Sequence, residues 1–454
     1  SSENDPKQQL IELLLHEKYG VNKESLASVI GNVSSHSLRN ADILRIRKLC
    51  TPKTESIFHY ILGSAQKDLG VAFLVKLRRD IRDVLHYWKF VQRKEEQCDE
   101  GNQHNHSLQL EKLQTLERSI QVILTSLFRP GVLNLQRITY QETPASIIEQ
   151  IAFKEAVHPL QSLQDLRTRL GPGRRCFAFF HPSLPNKPLV FVHVALLKEM
   201  PQSMSDLQYS TESNSATCAT FYSITNTEQG LSGVDLGNHL IKSVVQLLQN
   251  EFPKLNTFCT LSPIPKFRKW LEGKIVRYHE GLLRKQKHGS EDNNSEISLK
   301  FMDDGLFHPT ELQQLQDIFS SESSLLDLLQ TLKSHTWHIS TSGSNDDGED
   351  SASALADQLQ PLIMKLAAYY LTIETHHGRP LCPVAKFHVR NGAEMYRLNY
   401  MADCSAKGMR NSCGMMINYR YLLDEIEDNR VQYEINGNVM VKDGVKCWLD
   451  GTGN

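Results

Sequence analysis

A chain of 454 residues exceeds what one ordinary core supports, so two domains, or one domain with a large extension, are expected. With 40% hydrophobic and 22% charged residues it belongs with globular proteins rather than disordered ones. A formal net charge of −2 supplies no global field toward nucleic acid or an anionic membrane, so neither is an expected partner.

From Pro6 to Arg129 the pattern is helical almost throughout. One apolar stripe runs Leu74, Leu77, Ile81, Leu85, Trp88 and a second runs Leu113, Leu116, Ile120, Leu124, Leu127, both spaced by threes and fours. The polar run 93–106 between them suits a turn joining antiparallel helices. Arg129-Pro130-Gly131 closes the last helix and sets the expected boundary, with an all-α bundle over 1–129 and a second domain over 130–454.

Beyond that boundary, Arg174–Phe180, Pro188–Leu196 and Ala219–Ile224 are short aromatic and β-branched runs bounded by Pro, Gly and Asn, and they read as strands. A glycine-punctuated loop, Gln229-Gly230-Leu231-Ser232-Gly233-Val234, precedes an amphipathic helix with Leu240, Val244, Leu247 and Leu248 on one face. A further strand runs from Asn256 to Leu261. Strand, glycine loop, helix and strand make a βαβ crossover in a mixed α/β domain. The stretches 286–296 and 341–353 are Ser-, Asn-, Asp- and Gly-rich and read as solvated insertions.

The nine cysteines are scattered, odd in number and form no CxxC pair, which fits free thiols in a reducing compartment. The longest apolar stretch, Pro188–Leu197, is far shorter than the roughly 20 residues that span a bilayer, so no membrane span is expected. A soluble location in the cytoplasm, mitochondrial matrix or peroxisome is expected, and the termini do not choose among them.

Three segments are candidates for chemistry. Gly230 and Gly233 allow close backbone approach to a ligand, and the helix start that follows presents unpaired N–H groups to an anion; the same glycines also suit a plain turn. Their spacing matches neither a Walker A loop nor the dinucleotide fingerprint. Asp235 falls in the first helical turn, where the dipole accounts for a carboxylate as readily as a site role does. Ser262, in Leu261-Ser262-Pro263-Ile264-Pro265, stands at the carboxyl end of a strand after a βα unit, where ligands of open sheets sit, although on spacing alone a turn residue is the more ordinary reading. No GxSxG elbow surrounds it. His388 lies among apolar residues ahead of an Asn391-Gly392 turn, and most lone histidines are bystanders. The pairs His104/His106 and His376/His377 sit in no HExxH or Cys/His frame, so neither metal nor other cofactor is expected.

Together and in this order, these segments resemble malonyl-CoA decarboxylases. The likeness is carried by Phe221-Tyr222-Ser223-Ile224, by Gln229-Gly230-Leu231 with Gly233 through Lys242, by Glu251-Phe252-Pro253 and by the Leu-Ser-Pro-Ile-Pro run. It continues through Phe387-His388, Asn391-Gly392-Ala393, Arg397-Leu398-Asn399 and Asn418-Tyr419-Arg420-Tyr421, and covers about Leu133 to Leu423. The resemblance implies an α+β protein, with an N-terminal helical bundle for oligomerisation and a C-terminal acetyltransferase-like domain that binds CoA. It implies Ser262 and His388 as catalytic pair, with Asp235 and Tyr421 in support. Asp235 stands where animal relatives carry Glu, and Lys266 where the family usually shows Gly.

The implied reaction takes malonyl-CoA to acetyl-CoA and CO2. Losing CO2 leaves an enolate whose charge sits on the thioester oxygen, so the substrate is its own electron sink. Backbone amides near Gly230–Val234 would stabilise that oxygen, each worth about 3 kcal/mol when preorganised. Ser262 and His388 would hold the carboxylate, and one of them would protonate the α-carbon. A side chain at Gly233 would then impair ligand handling more than stability. The implied assembly is a homo-oligomer, a tetramer among the candidates, formed through the helical region. An acyl-CoA-dependent acetyltransferase is the alternative, since the implied fold is shared; a non-catalytic scaffold is the third reading.

Overall fold

The computed structural model describes residues 62, 67–95, 103–207, 215–287, 306–338 and 347–449. Most of the helical pattern ahead of residue 67, residues 288–296 of the first expected insertion and 341–346 of the second therefore lie outside the described residues, while 347–353, expected as solvated insertion, begins a helix. The fold is α+β: helices come first, and a mixed sheet with order β1-β2-β3-β4-β5-β10-β6, with β9 paired to β10, follows. The chain gathers into two compact units. Of the described residues, one holds those up to Leu170 with Cys176–Val192 and Ile224–Val244; the other holds those in Gly171–Arg175, in His193–Ser223 and from Val245 on.

In the first unit, α1 (Lys67–Glu95) and α2 (Gln103–Leu127) pack as a pair. The predicted stripes make that contact: Leu74, Leu77, Ile81 and Leu85 are buried on α1, and Leu113, Leu116, Ile120 and Leu124 on α2. Trp88 and Leu127, at the stripe ends, are only half-buried. After a 3-10 turn at Pro130–Val132 comes β1 (Asn134–Ile138), antiparallel to β2 (Arg174–Phe180) in the register Asn134 to Phe180. Helices α3 (Ala145–Lys154) and α4 (Leu163–Arg169) cover these strands, the second started by Ser162, whose side chain accepts from the Asp165 amide. Ile138, Ile147, Ile148, Ile151, Leu166, Cys176, Ala178, Phe180 and Phe191 form their shared core. Every residue of β2 and of β3 (Val190–Leu197) is buried, which is why, apart from Arg174, Arg175 and His193, both read as apolar runs rather than as alternation.

In the second unit, the first residues of β4 (Cys218–Asn226) pair parallel with β5 (Thr257–Thr260); α5 (Leu236–Glu251), of which this unit holds the part from Val245 on, lies between them in sequence, which is the expected crossover. Next come β6 (Ser262–Pro263) and four helices: α6 (Phe267–Lys287), α7 (Pro309–Phe319), α8 (Ser324–Ser334) and α9 (Asp347–Thr372). A small hairpin of β7 (Thr375–His376) and β8 (Arg379–Pro380) leads to α10 (Pro383–Arg390), which Pro383 opens at a position where no amide donor is needed. The strand β9 (Glu394–Asn399), the helix α11 (Ala406–Ser412) and β10 (Met416–Tyr421) follow, and α12 (Ile426–Asn436) and α13 (Asp443–Leu449) finish the described chain.

A β-bulge in β9 decides which side chains share a face. Asn418 pairs with Arg397 while the next residue, Tyr419, pairs with Met395, so Tyr396 is the extra residue. Arg397 and Asn399 therefore share a face with Asn418, and Met395 shares the other with Tyr419. Asn418 is buried and fully used, donating to the Pro201 and Thr260 carbonyls at 3.1 and 2.8 Å and accepting from Asn399 at 2.8 Å.

Candidate active site

Strand alternation and one helix bring three of the expected residues together. Ser262 enters at β6, opposite Ile417 of β10, and Thr260 lies two residues before it, so both hydroxyls face one side. On β10, Tyr419 and Tyr421 share that side by the same rule. His388 comes from α10, whose last turn holds it over β10. The Asn391-Gly392 turn that follows ends a helix rather than joining two strands: Asn391 is the C-cap and Gly392 has φ +81°. A Cβ at Gly392 would lie 2.1 Å from the Ile426 carbonyl oxygen, so both the angle and the space demand glycine.

His388 Nε2 lies 3.2 Å from Ser262 Oγ, and His388 Nδ1 lies 2.8 Å from the Tyr421 hydroxyl. Ser262 Oγ donates to Thr260 Oγ1 at 2.9 Å, and Thr260 Oγ1 also accepts from the Tyr419 amide at 3.2 Å. These bonds run in one direction. Since Ser262 gives its proton to Thr260, it must accept from Nε2–H. Nδ1 is then the bare nitrogen, and Tyr421 donates to it. Tyr419 stacks on the imidazole with centroids 4.5 Å apart and planes 25° apart.

The cluster is dry. Ser262, His388 and Tyr421 are 5%, 4% and 3% exposed, and Thr260 and Tyr419 are fully buried. Burial disfavours the imidazolium and pushes the His388 pKa down to about 3, and no carboxylate opposes it. The same desolvation drives the Tyr421 phenol far above its ordinary value, so it keeps its proton and serves as a donor. His388 is therefore neutral near pH 7. Such an arrangement can donate hydrogen bonds and pass a proton, but offers no fixed charge.

Thr260 and Tyr419 escaped the sequence reading, although the i, i+2 spacings Thr260/Ser262 and Tyr419/Tyr421 were the signal that could have found them. A cleft of about 1040 Å³ opens on the opposite face, lined among others by Arg397, Asn399, Tyr400 and Trp448. It does not contain the serine and histidine, and Arg397 within it bonds to the side-chain oxygens of Asn399 and Asn418 at 3.0 and 3.2 Å. Among the described residues, no group of three or more His, Cys, Asp or Glu side chains could hold a metal, and no helix is long and apolar enough to cross a membrane. His376 and His377 are exposed on the small hairpin.

The remaining expected residues form a second cluster, within the first unit. Gln229–Leu231 is a 3-10 turn; Gly230, Leu231 and Val234 are buried, while Gln229 and Gly233 are exposed. The amides of Leu231, Ser232 and Val234 donate to the carbonyls of Glu228, Gln229 and Leu231. Those of Gly230, Gly233 and Asp235 meet no acceptor among the described residues. Asp235 stands just ahead of the helix, which starts at Leu236 with no acidic residue in its first turn, so the expected first-turn placement is corrected; its carboxylate accepts from Asn238 Nδ2 at 3.2 Å. Gly233 has φ +81°, and a Cβ there would lie 2.8 Å from Gln121 Nε2. A side chain at Gly233 therefore strains the backbone whatever the ligand does, and the expected separation of ligand handling from stability does not hold at this position.

Comparison with known proteins identifies the family. Residues 131–454 match the family model of the malonyl-CoA decarboxylase C-terminal domain. The mitochondrial malonyl-CoA decarboxylase of Rattus norvegicus is 37% identical over 413 residues, which cover 88% of this chain and 72% of that protein. Its counterpart from Anser anser anser is 34% identical over 395 residues, covering 86% and 68%. Among solved structures, the malonyl-CoA decarboxylase of Rhodopseudomonas palustris aligns with a TM-score of 0.70 at 31% identity over 98% of this chain and 91% of that one. That of Agrobacterium vitis aligns with a TM-score of 0.72 at 29% identity over 99% and 91%. The chain belongs to the malonyl-CoA decarboxylase family and is a carboxy-lyase.

Proposed function

We propose that the chain converts malonyl-CoA to acetyl-CoA and CO2 at the Ser262–His388 pair. The observation that carries this is the one-way chain of donors from Tyr421 through His388 to Ser262 in a desolvated site. With substrate present, the Ser262 hydroxyl turns from Thr260 to the malonyl carboxylate, and His388 Nε2–H is the second donor. Breaking the bond between the α-carbon and the carboxylate releases CO2 and leaves the electron pair in the enolate. The proton for the α-carbon then comes from Ser262 Oγ. His388 Nε2–H backs the oxygen as it gains charge, and solvent returns the proton as acetyl-CoA leaves. A neutral imidazole suits this task, because it is a directed donor that adds no charge able to hold the carboxylate in place.

The enolate oxygen requires amide donors, and we assign these to the loop over Gln229, Gly230, Leu231, Ser232, Gly233, Val234 and Asp235. Gly230, Gly233 and Asp235 are the members whose amides are not already used within the loop. Asp235 contributes its amide at the helix start rather than its carboxylate. We further propose that 1–129 serves self-association and 130–454 catalysis. Incubating the purified chain with malonyl-CoA and following acetyl-CoA and CO2, with and without an amine acceptor, tests the activity. Release of CO2 only with an acceptor, or of none at all, would sink it.

A further inference from the structure

Arg78 occupies a core position of α1. It follows Leu77 in the buried stripe and sits between Leu74 and Ile81, where an apolar residue is the rule, and its side chain is 1% exposed. Two of its nitrogens hold one carboxylate oxygen of Glu117 on α2, at 3.1 and 2.8 Å. Its third nitrogen donates to the carbonyl of Gly230 at 2.6 Å, across 152 residues of sequence. Around this bond the same hairpin makes further contacts with the same loop. Arg82 donates to Ser232 Oγ at 3.3 Å and to Glu117 at 3.2 Å, and Gln121 donates to the Gly233 carbonyl at 3.0 Å. The backbone of α1 touches the loop directly, since a Cβ on Gly230 would lie 2.0 Å from the Val75 carbonyl oxygen.

We propose that Arg78 is a positioning residue for the reaction: locked by Glu117, it fixes the Gly230 peptide, so that the helical hairpin aims the free amides of the loop. This rests on the assignment of those amides to the enolate oxygen. With the Gly230 and Gly233 carbonyls both held by the hairpin, the turn between them has little freedom, and its free N–H groups keep their direction without substrate. A pure scaffold would not need a buried guanidinium here. Gly230 could sit on Val75 with its carbonyl bonded within the turn, and a leucine would serve at position 78. The planar fork reaches two acceptors on different segments at fixed angles, which a lysine does not reproduce.

The test is Arg78→Lys in the full chain, with Leu113→Ala as a matched lesion. Leu113 is fully buried in the hairpin but has no contact with the loop among the bonds above, so its loss weakens the hairpin alone. Kinetics, melting temperature and amide hydrogen exchange are read together. Arg78→Lys is expected to lower kcat by about tenfold to a hundredfold, as small misplacements do, with KM within about twofold. It should also speed exchange at Leu231, Ser232 and Val234, whose amides are bonded within the loop, in the protein without substrate, whereas Leu113→Ala at equal or lower melting temperature keeps kcat within about twofold. If both variants lose kcat in proportion to stability, or if Arg78→Lys keeps wild-type kcat, the positioning role is overturned. In the second case exchange of the Gly230, Gly233 and Asp235 amides with and without acetyl-CoA separates the causes. Slower exchange with acetyl-CoA leaves the loop in the site and removes Arg78 only, while unchanged exchange removes the loop assignment as well. A Gln121→Ala arm covers the event that Arg78→Lys does not fold. It frees the Gly233 carbonyl from a half-buried residue, and unchanged kcat together with unchanged loop exchange overturns the hairpin's role by itself.

Discussion

The Tyr421 hydroxyl lies 2.8 Å from Nδ1 of His388, and that contact selects which imidazole nitrogen carries the proton. Tyr421→Phe keeps the ring and removes the donor. The buried Nδ1 then lacks its partner at a cost of about 1–3 kcal/mol, and the imidazole can adopt the other tautomer, which no longer donates toward Ser262. The variant should fold and should lose kcat by roughly tenfold to a hundredfold. Steady-state kinetics beside a melting curve checks it; full activity would mean that the tautomer is fixed by something else.

Ser262→Ala and His388→Asn should each lower turnover at least about a hundredfold in a folded protein, the scale of general-acid effects. Because both act on one proton, the double variant should be little worse than the worse single one. Multiplicative losses would show that the two residues act independently.

Burial of His388 also sets a pH dependence of stability. Its folded pKa of about 3 lies below the unfolded value of about 6.5. Between these values the unfolded chain binds the extra proton. The contribution is fully present above about pH 6.5 and is lost as pH falls toward 3, by about 1.4 kcal/mol per unit at most. Denaturant midpoints from pH 7 to 4 should fall less steeply in His388→Asn than in the wild type. In the same interval the rate should show no inflection near pH 6.5 owed to this histidine, and an inflection there that vanishes in His388→Asn would contradict the neutral imidazole.

Lys266 has φ +68°, the left-handed region, at the position where the resemblance leads one to expect glycine. Lysine tolerates that angle at a cost of about 1–2 kcal/mol, of which the larger unfolded entropy of glycine takes back a part. Lys266→Gly should therefore raise stability by about 0.5–1 kcal/mol and the melting temperature by about 2 °C. Calorimetry decides; a lower melting temperature would mean that the exposed lysine makes a compensating contact.

The helical region should carry self-association. Leu69, Phe73, Tyr87 and Val122 are exposed on α1 and α2, at 63%, 39%, 64% and 70%. Sedimentation of the full chain at micromolar concentration should show a closed oligomer. A monomer would leave the hairpin with its contacts to the loop as its function.

The sequence made legible what depends on local pattern. The two stripes of α1 and α2, the buried strands β2 and β3, and the βαβ unit of β4, α5 and β5 are set by periodicity and turn residues, and the structure contains each. Ser262 and His388, 126 residues apart, are joined by tertiary folding, which no spacing announces; only the resemblance paired them. Tyr421 came by the same route. Thr260 and Tyr419 were readable only once their strands were known. Arg78 was hidden differently, because a stripe is found by looking for apolar residues, and a buried cation within it is passed over as an interruption.

The extra residue of β9 has an evolutionary corollary. In a regular strand, losing one residue inverts every side chain beyond the gap. At Tyr396 the opposite holds: Asn418 already faces Arg397 and Tyr419 already faces Met395, so excising Tyr396 leaves both pairings and both faces in place. What departs is the ring over the Arg420 guanidinium, 4.2 Å from its centroid, and with it the cover of the Arg420–Glu394 ion pair. The strand thus carries a point where length can vary without a change of frame, so descendants of this fold that differ by one residue there would keep the face that Tyr419 shares with His388 and vary only in how that ion pair is shielded.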